Sequence, residues 1–310
     1  MVELKTHVTH VAVRTTQIPL YKETALYYRS DEGEWVLYKK PGEIISQHRL
    51  DTERIPRLFI LTEDRESAAV EIQTSFNRIL DESLGAGDVK TVHNCLVGIA
   101  VETLNEPRSG TMRQARRSVA LLTRASTRDP AILKQITNLY HLDYTTALHS
   151  VNVMTLTLGF AHKVGYGWRR TLEFGLAALL HDIGKIQIPE SLLKSPKPLT
   201  DDEFRIMRQH PIMALDVLDR AKMTLPKVRA AAIEHHERIN GTGYPFGKTD
   251  ISLVGQIVGI IDAYEALTNE DRPYRRAAPP GKALQILREE TDRGYHMPSL
   301  YNRFLQSLSV

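Results

Sequence analysis

The sequence predicts a mainly α chain: an all-α helical bundle at the C-terminus, preceded by a smaller α+β module. Three observations carry that prediction. β-rich runs and a hairpin signal crowd the first sixty or so residues, and helical apolar spacing takes over from about Asp81. Histidines and aspartates are then spread over several later helices, around the stretch His181-Asp-Ile-Gly-Lys185. Bundle cores commonly build metal sites from side chains on facing helices.

A chain of 310 residues has room for two domains. Its hydrophobic fraction of 42% and charged fraction of 25% are those of an ordinary globular protein with a proper core. A net charge of only +3 argues against a dedicated binder of nucleic-acid polymer or of a membrane surface. No apolar run is long enough to insert in a bilayer, and the start MVELKTHVTH lacks the apolar core of a signal peptide. The single cysteine, Cys95, excludes an internal disulfide and a cysteine metal cluster, and its apolar neighbours read as those of a buried structural thiol. These features place the chain in the cytoplasm.

Taken in order, Val8-Thr-His-Val-Ala-Val-Arg is β-rich. Ala25-Leu-Tyr-Tyr and Trp35-Val-Leu-Tyr flank Ser30-Asp-Glu-Gly-Glu, a hairpin signal with glycine in the loop. Leu58-Phe-Ile-Leu-Thr reads as a third strand, and the chain turns helical from Glu63 to about Leu80. A phosphoacceptor receiver fits poorly, because the module has no early acidic pair and no aspartate ending a buried central strand. Gly85-Ala-Gly marks a joint, and helical spacing continues over 88–105, 111–126 and 129–140, with Pro107, Gly110 and Pro130 as breakers. Arg113, Arg116 and Arg117 form a basic face that reads as solvated. Further helices are expected over 143–164, 168–181, 200–219, 226–236, 253–269, 281–293 and 298–308. The expected division is a sensory or partner-binding module with a helical connector over 1–125 and the helical domain over 126–310.

The chemistry centres on His181 and Asp182, which end the apolar run Phe174–Leu180. Buried polar groups need partners, and a metal ion is the simplest partner for a histidine beside a carboxylate. His149, His210, His235, His236 and Asp262 lie at helix-compatible places on both sides. Adjacent His235 and His236 diverge by about 100° on a helix, so both reach one ion only near a helix end. The glycine-rich run Asn240–Pro245 supplies that end. His141, His162 and His296 read as ordinary core or surface histidines. A nitrogen and oxygen donor set without sulfur favours an octahedral ion over structural zinc. Five histidines and two aspartates exceed the needs of one ion and suit two, about 3.5–4 Å apart and bridged by a carboxylate, the arrangement for in-line attack on a phosphodiester. Lys185, three residues past Asp182, shares its face if the turn continues helically.

Six motifs in order carry a family resemblance: His149-Ser-Val-Asn-Val, His181-Asp-Ile-Gly-Lys185, His210-Pro211, His235-His-Glu-Arg-Ile-Asn-Gly-Thr-Gly-Tyr-Pro245, Asp262-Ala-Tyr-Glu-Ala-Leu-Thr268 and Arg272-Pro-Tyr-Arg275. Together, over about residues 130–310, they resemble the HD-GYP family of cyclic di-GMP phosphodiesterases, within the HD metal-dependent phosphohydrolase superfamily. The resemblance implies an HD-type bundle and two divalent transition-metal ions, with iron preferred to manganese. It implies that His149, His181 and Asp262 bind one ion, that His210, His235 and His236 bind the other, and that Asp182 bridges them. Lys185 would then stand beside the ions as an acid or phosphate contact, with Tyr244, Gly243, Arg272 and Arg275 facing the dinucleotide. The implied reaction opens cyclic di-GMP to linear pGpG or on to GMP.

Several positions depart from the family pattern. Thr145 stands where three-metal members carry glutamate, which argues against a third ion. Ala214 and Lys197 replace glycines, Gln256 occupies a frequent arginine position, and Glu265 replaces an aspartate. The stretch from Pro245 to Asp262 is about two residues short, and Asn269-Glu-Asp271 holds one extra residue before Arg272. These departures touch the walls of the cleft rather than the metal ligands. A second reading therefore keeps the metals without efficient turnover and makes the chain an interaction module that docks a signalling partner through the Gly-Tyr-Pro loop or the N-terminal module. The intact Gly-Tyr-Pro loop disfavours a phosphohydrolase of another nucleotide.

Overall fold

In the computed structural model, which describes residues 9–52, 54–139, 145–269 and 277–308, the β-rich runs become four short strands. These are β1 (His10–Ala12), β2 (Leu26–Arg29), β3 (Trp35–Lys39) and β4 (Leu58–Leu61). They form an antiparallel sheet in the order β1-β4-β2-β3, with Arg29 opposite Trp35 across the hairpin and Tyr27 opposite Phe59. Gly33 turns the hairpin at φ 87°, a left-handed conformation that glycine adopts without a Cβ clash.

Helices account for the rest. A short α1 (Gln47–Thr52), which the sequence reading did not anticipate, precedes β4. Then follow α2 (Arg65–Ala86), α3 (Val89–Asn105), α4 (Ser109–Arg128) and α5 (Ala131–Thr137). The helix expected from Glu63 to Leu80 thus runs six residues further, to a left-handed Gly87 at the expected joint. The C-terminal part contains α6 (Thr146–Val164), α7 (Trp168–Leu180), a 3-10 helix Ile183–Gln187, α8 (Glu190–Leu193) and α9 (Asp201–Met207). It continues through α10 (His210–Arg220), α11 (Pro226–Glu234), α12 (Leu253–Thr268), α13 (Pro280–Asp292) and α14 (Pro298–Leu308). The single helix expected over 200–219 is instead two, broken at Arg208-Gln209. Pro211 lies in the first turn of α10, where its missing N–H is no loss, and it restricts the backbone before it. The break matters because it makes His210 the first residue of a helix.

Two apolar clusters hold these elements. The smaller lies under the sheet and joins Ile18, Tyr21, Leu26, Leu58 and Ile60 to Ile72 of α2. The larger runs from Leu80 to Phe304 and takes Val92, Leu96 and Ile99 from α3 and Val119 and Leu122 from α4. Phe76 packs against both. Cys95 is buried in the larger cluster, as expected, and burial pushes its thiol up to about 11. Arg113, Arg116 and Arg117 are exposed. A polar tie adds to the apolar one: Glu102 of α3 accepts from Arg14 at 2.7 Å and Gln17 at 2.9 Å. Among the described residues no helix is long and apolar enough to cross a membrane.

Candidate metal centre

Five α-helices and one 3-10 helix bring the seven expected ligands to one place. His149 lies one turn into α6, whose N-cap is Thr145 with its hydroxyl accepting from Leu148 N. Thr145 is therefore spent on the helix start. His181 ends α7, and Asp182 opens the 3-10 helix that carries Lys185. His210 begins α10, His235 caps the C-terminus of α11 with His236 just beyond it, and Asp262 sits inside α12. The doublet does fall at a helix end, so both rings turn inward.

Glycines set how closely these helices approach. A Cβ on Gly184 would lie 1.9 Å from the His210 carbonyl oxygen and 2.6 Å from Ala214 N, so only glycine lets the 3-10 helix seat against α10. A Cβ on Gly259 would lie 2.4 Å from the His235 carbonyl oxygen, which fixes the contact of α12 with the end of α11.

The resulting geometry divides around Asp182, which is 1% exposed. Its Oδ2 faces His181 Nε2 at 3.4 Å and His149 Nε2 at 3.5 Å. Its Oδ1 faces His210 Nε2 at 3.2 Å and His235 Nε2 at 3.7 Å. Asp262 Oδ1 completes the first group, 3.0 Å from His149 Nε2 and 3.8 Å from His181 Nε2. His236 joins the second, with ligand atoms of Asp182, His210, His235 and His236 all within 4.8 Å of one another.

These residues fit divalent metal ions. His149 Nε2 and His181 Nε2 stand 3.3 Å apart, as do His210 Nε2 and His235 Nε2. Neighbouring ligands on bonds of ~2.1 Å stand about 3 Å apart around one ion. Asp182 Oδ1 is buried without a hydrogen-bond partner among the described residues, an expensive state for a carboxylate oxygen unless a cation satisfies it.

Outer hydrogen bonds aim the rings. Nδ1 of His181 pairs with Ala178 O at 2.7 Å, that of His210 with Met207 O at 2.8 Å, and that of His235 with Ala231 O at 2.9 Å. Each places the Nδ1 proton on a carbonyl and leaves Nε2 to coordinate. Charge is uneven across the centre. Burial opposes a charged His181, yet the Asp182 and Asp262 carboxylates outweigh it and hold the ring up at about 10. His149 is raised too, against burial, by Glu265 and Asp262. Burial lowers His235 to about 4 and, with His235 beside it, sets His236 well below its usual value. Burial would raise the two aspartates, but Lys185 and the histidines at Asp182, and His149 and His181 at Asp262, keep both well below the usual carboxylate range.

An ion arriving here would have to displace the proton that His181 holds at neutral pH and compete for a His149 whose affinity for a proton is raised. Metal uptake is therefore expected to release protons and to weaken as pH falls from 8 to 6. Titration with Mn²⁺ in two buffers of different ionisation enthalpy measures the release. An affinity independent of pH, with no proton released, would contradict the charge distribution.

Lys185 Nζ donates to Asp182 Oδ2 at 2.5 Å and is partly exposed, so the expected shared face holds. Tyr244 stacks on His236 with ring centroids 4.6 Å apart, and burial raises its hydroxyl pKa. Gly243 has an internal reason to be glycine, since a Cβ there would lie 2.3 Å from Arg238 N. Arg272 and Arg275, expected at the dinucleotide, lie outside the described residues.

Some residues had no role in the sequence reading. Glu237 accepts from Phe246 N at 2.8 Å and Lys248 N at 2.9 Å and so anchors the segment just after the glycine-rich run, while Glu234 of α11 accepts from Ser252 N, the N-cap of α12, at 2.9 Å. Arg208 places its guanidinium 4.7 Å from the Tyr244 ring centroid. Glu265, noted only as a substitution, bonds His149. Its signal was the i,i+3 spacing from Asp262, which puts both carboxylates on one face of α12.

Residues 120–298, more than half of the chain, match the HD domain family. A cyclic di-GMP phosphodiesterase of Pseudomonas aeruginosa is 35% identical over 185 residues, 59% of this chain and 44% of that protein. A 3'3'-cGAMP-specific phosphodiesterase of Vibrio cholerae is 36% identical over 146 residues, 46% of this chain and 31% of that protein. The chain thus spans less than half the length of these relatives. The fold is similar to that of Bd1817, an HDG"Y"P protein from Bdellovibrio bacteriovorus, with a TM-score of 0.66, 22% identity, and coverage of 97% of this chain and 100% of that one. The match over 120–298, more than half of the chain, makes this chain a member of the HD domain family.

Proposed function

We propose that this chain is a metal-dependent phosphodiesterase that opens cyclic di-GMP to linear pGpG through two divalent ions. The observation that carries the reading is Asp182, one oxygen facing His149 and His181 and the other facing His210 and His235. His149, His181 and Asp262 would hold one ion, His210, His235 and His236 the other, and Asp182 would bridge. When bound, such a pair supplies an activated water and stabilises charge on a phosphoryl oxygen. A histidine-rich shell without sulfur favours iron, with manganese as the alternative.

The chain's own groups do the rest. Lys185 Nζ, tethered to Asp182 Oδ2, holds a proton beside the bridging carboxylate and can deliver it to a leaving oxygen or grip a phosphate. Tyr244 offers a ring, backed by His236, on which a base can stack. The glycine-rich loop at Gly243, with Arg272 and Arg275, supplies the remaining dinucleotide contacts. Lys185→Ala is expected to keep both ions and lower kcat by about 10²–10⁴-fold, the usual worth of a positioned acid. A variant with wild-type kcat would remove Lys185 from the chemistry.

The same proposal divides the chain into a partner-binding or sensory module over 1–125 and the HD-GYP domain over 126–310, in the cytoplasm. The sharing of the larger apolar cluster by α3 and α4 supports a helical connector, because a shift of the sheet module reaches the bundle through packed side chains.

The test is chromatography of products after metal-loaded protein meets cyclic di-GMP and, separately, 3'3'-cGAMP. Linear pGpG from cyclic di-GMP is the expected product. Faster turnover of 3'3'-cGAMP would overturn the substrate assignment. Tight binding with no product from either would make the chain an interaction module.

A further inference from the structure

His149 differs from the other buried histidines of the centre in what orients it. His181, His210 and His235 each use a carbonyl three or four residues back on their own backbone. The Nδ1 of His149 instead meets Glu265 Oε2 at 2.5 Å, across 116 residues of sequence and between α6 and α12. Glu265 is 4% exposed, and its other oxygen, Oε1, accepts from Asn152 at 3.0 Å and Asn269 at 2.8 Å. A buried carboxylate survives only when its oxygens are satisfied, and here three donors satisfy it. A carboxylate acceptor locks the ring tautomer as a carbonyl does, and it also makes the opposite nitrogen a stronger donor to a cation.

We propose that Glu265 is a positioning residue that supports one of the two ions, the one on the His149 side, and leaves the other untouched. It touches neither ion nor substrate and acts through His149. The effect is local because, among the described residues, the hydrogen bonds and ion pair of the Glu265 carboxylate go to His149, Asn152 and Asn269 and not to His210, His235 or His236. The inference rests on the two-ion reading.

Glu265→Gln removes the charge at nearly constant shape, and Asn152 and Asn269 can each rotate the amide to turn an oxygen toward the new NH2. Mn²⁺ is titrated into His235→Ala protein, which keeps the His149 position, and into His149→Ala protein, which keeps the other. Glu265→Gln is expected to weaken Mn²⁺ by about 10–100-fold in the first background, the usual cost of losing an outer-shell partner, and to change nothing in the second. A merely structural role would lower Tm and act equally in both. Equal weakening in both backgrounds, or none in the first, overturns the inference. Should Glu265→Gln fail to fold, Asn152→Ala decides, because it removes one of the donors that hold Glu265 and should weaken the same ion by a smaller factor; an unchanged affinity there overturns the inference as well. A wild type that takes up a single Mn²⁺ overturns the two-ion reading and this inference with it, whereas a two-ion wild type whose Glu265→Gln affinities are unchanged overturns the inference alone.

Discussion

Asp182→Ala is expected to lose both ions and all measurable hydrolysis while keeping the helical fold. Its oxygens face two histidines of each group at 3.2–3.7 Å, whereas Asp262 faces the second group through Oδ2, 3.9 Å from His236 Nδ1. Removing it leaves Lys185 without its partner and sets His149, His181, His210 and His235 around an empty centre. The loss should exceed the ~10–100-fold that outer-shell substitutions cause. Elemental analysis after reconstitution under reducing conditions reads the result. Retention of both ions by a folded Asp182→Ala protein would show that the histidine groups bind independently and that the bridge is not needed.

Gly184→Ala is expected to strip the His210 side of the centre through packing alone. The added methyl meets backbone, the His210 carbonyl oxygen and Ala214 N, and backbone cannot rotate away as a side chain tip can. The start of α10 must move, and His210 moves with it. Overpacking of this kind costs about 1–3 kcal/mol and occasionally more, so Tm should fall by several degrees as one of two ions is lost. A normal Tm with two ions bound would mean that the 3-10 helix seats less tightly than its geometry requires.

Much of this arrangement was legible in the sequence because it is local. Breakers at Gly165, Pro226, Pro279 and Pro298 bracket helices that end within a residue or two of where the spacing puts them. The hairpin around Gly33 and the convergence of the seven histidine and aspartate side chains follow from turn chemistry and from the shortage of other partners for buried histidine and aspartate. What escaped was tertiary. Pro211 reads equally well as tolerated or as breaking, and only the docking of α10 on Gly184 selects the break. Glu265 looked like an imperfect match to a pattern until α6 brought His149 against it. Glu237 has no role legible in the sequence, yet it is buried and its carboxylate accepts from Phe246 N and Lys248 N just after Tyr244-Pro245. Helix α3 and most of α4 precede residue 126, and their apolar faces share one buried cluster with the later helices, which periodicity does not reveal.

If two ions bridged by Asp182 turn over a cyclic dinucleotide, turnover of cyclic di-GMP follows the equivalents of Fe²⁺ bound per chain. Linear pGpG is the expected product, at a rate that reaches its plateau only as two equivalents are bound. A plateau at one equivalent, or a fully loaded protein that binds cyclic di-GMP and releases no product, would contradict it.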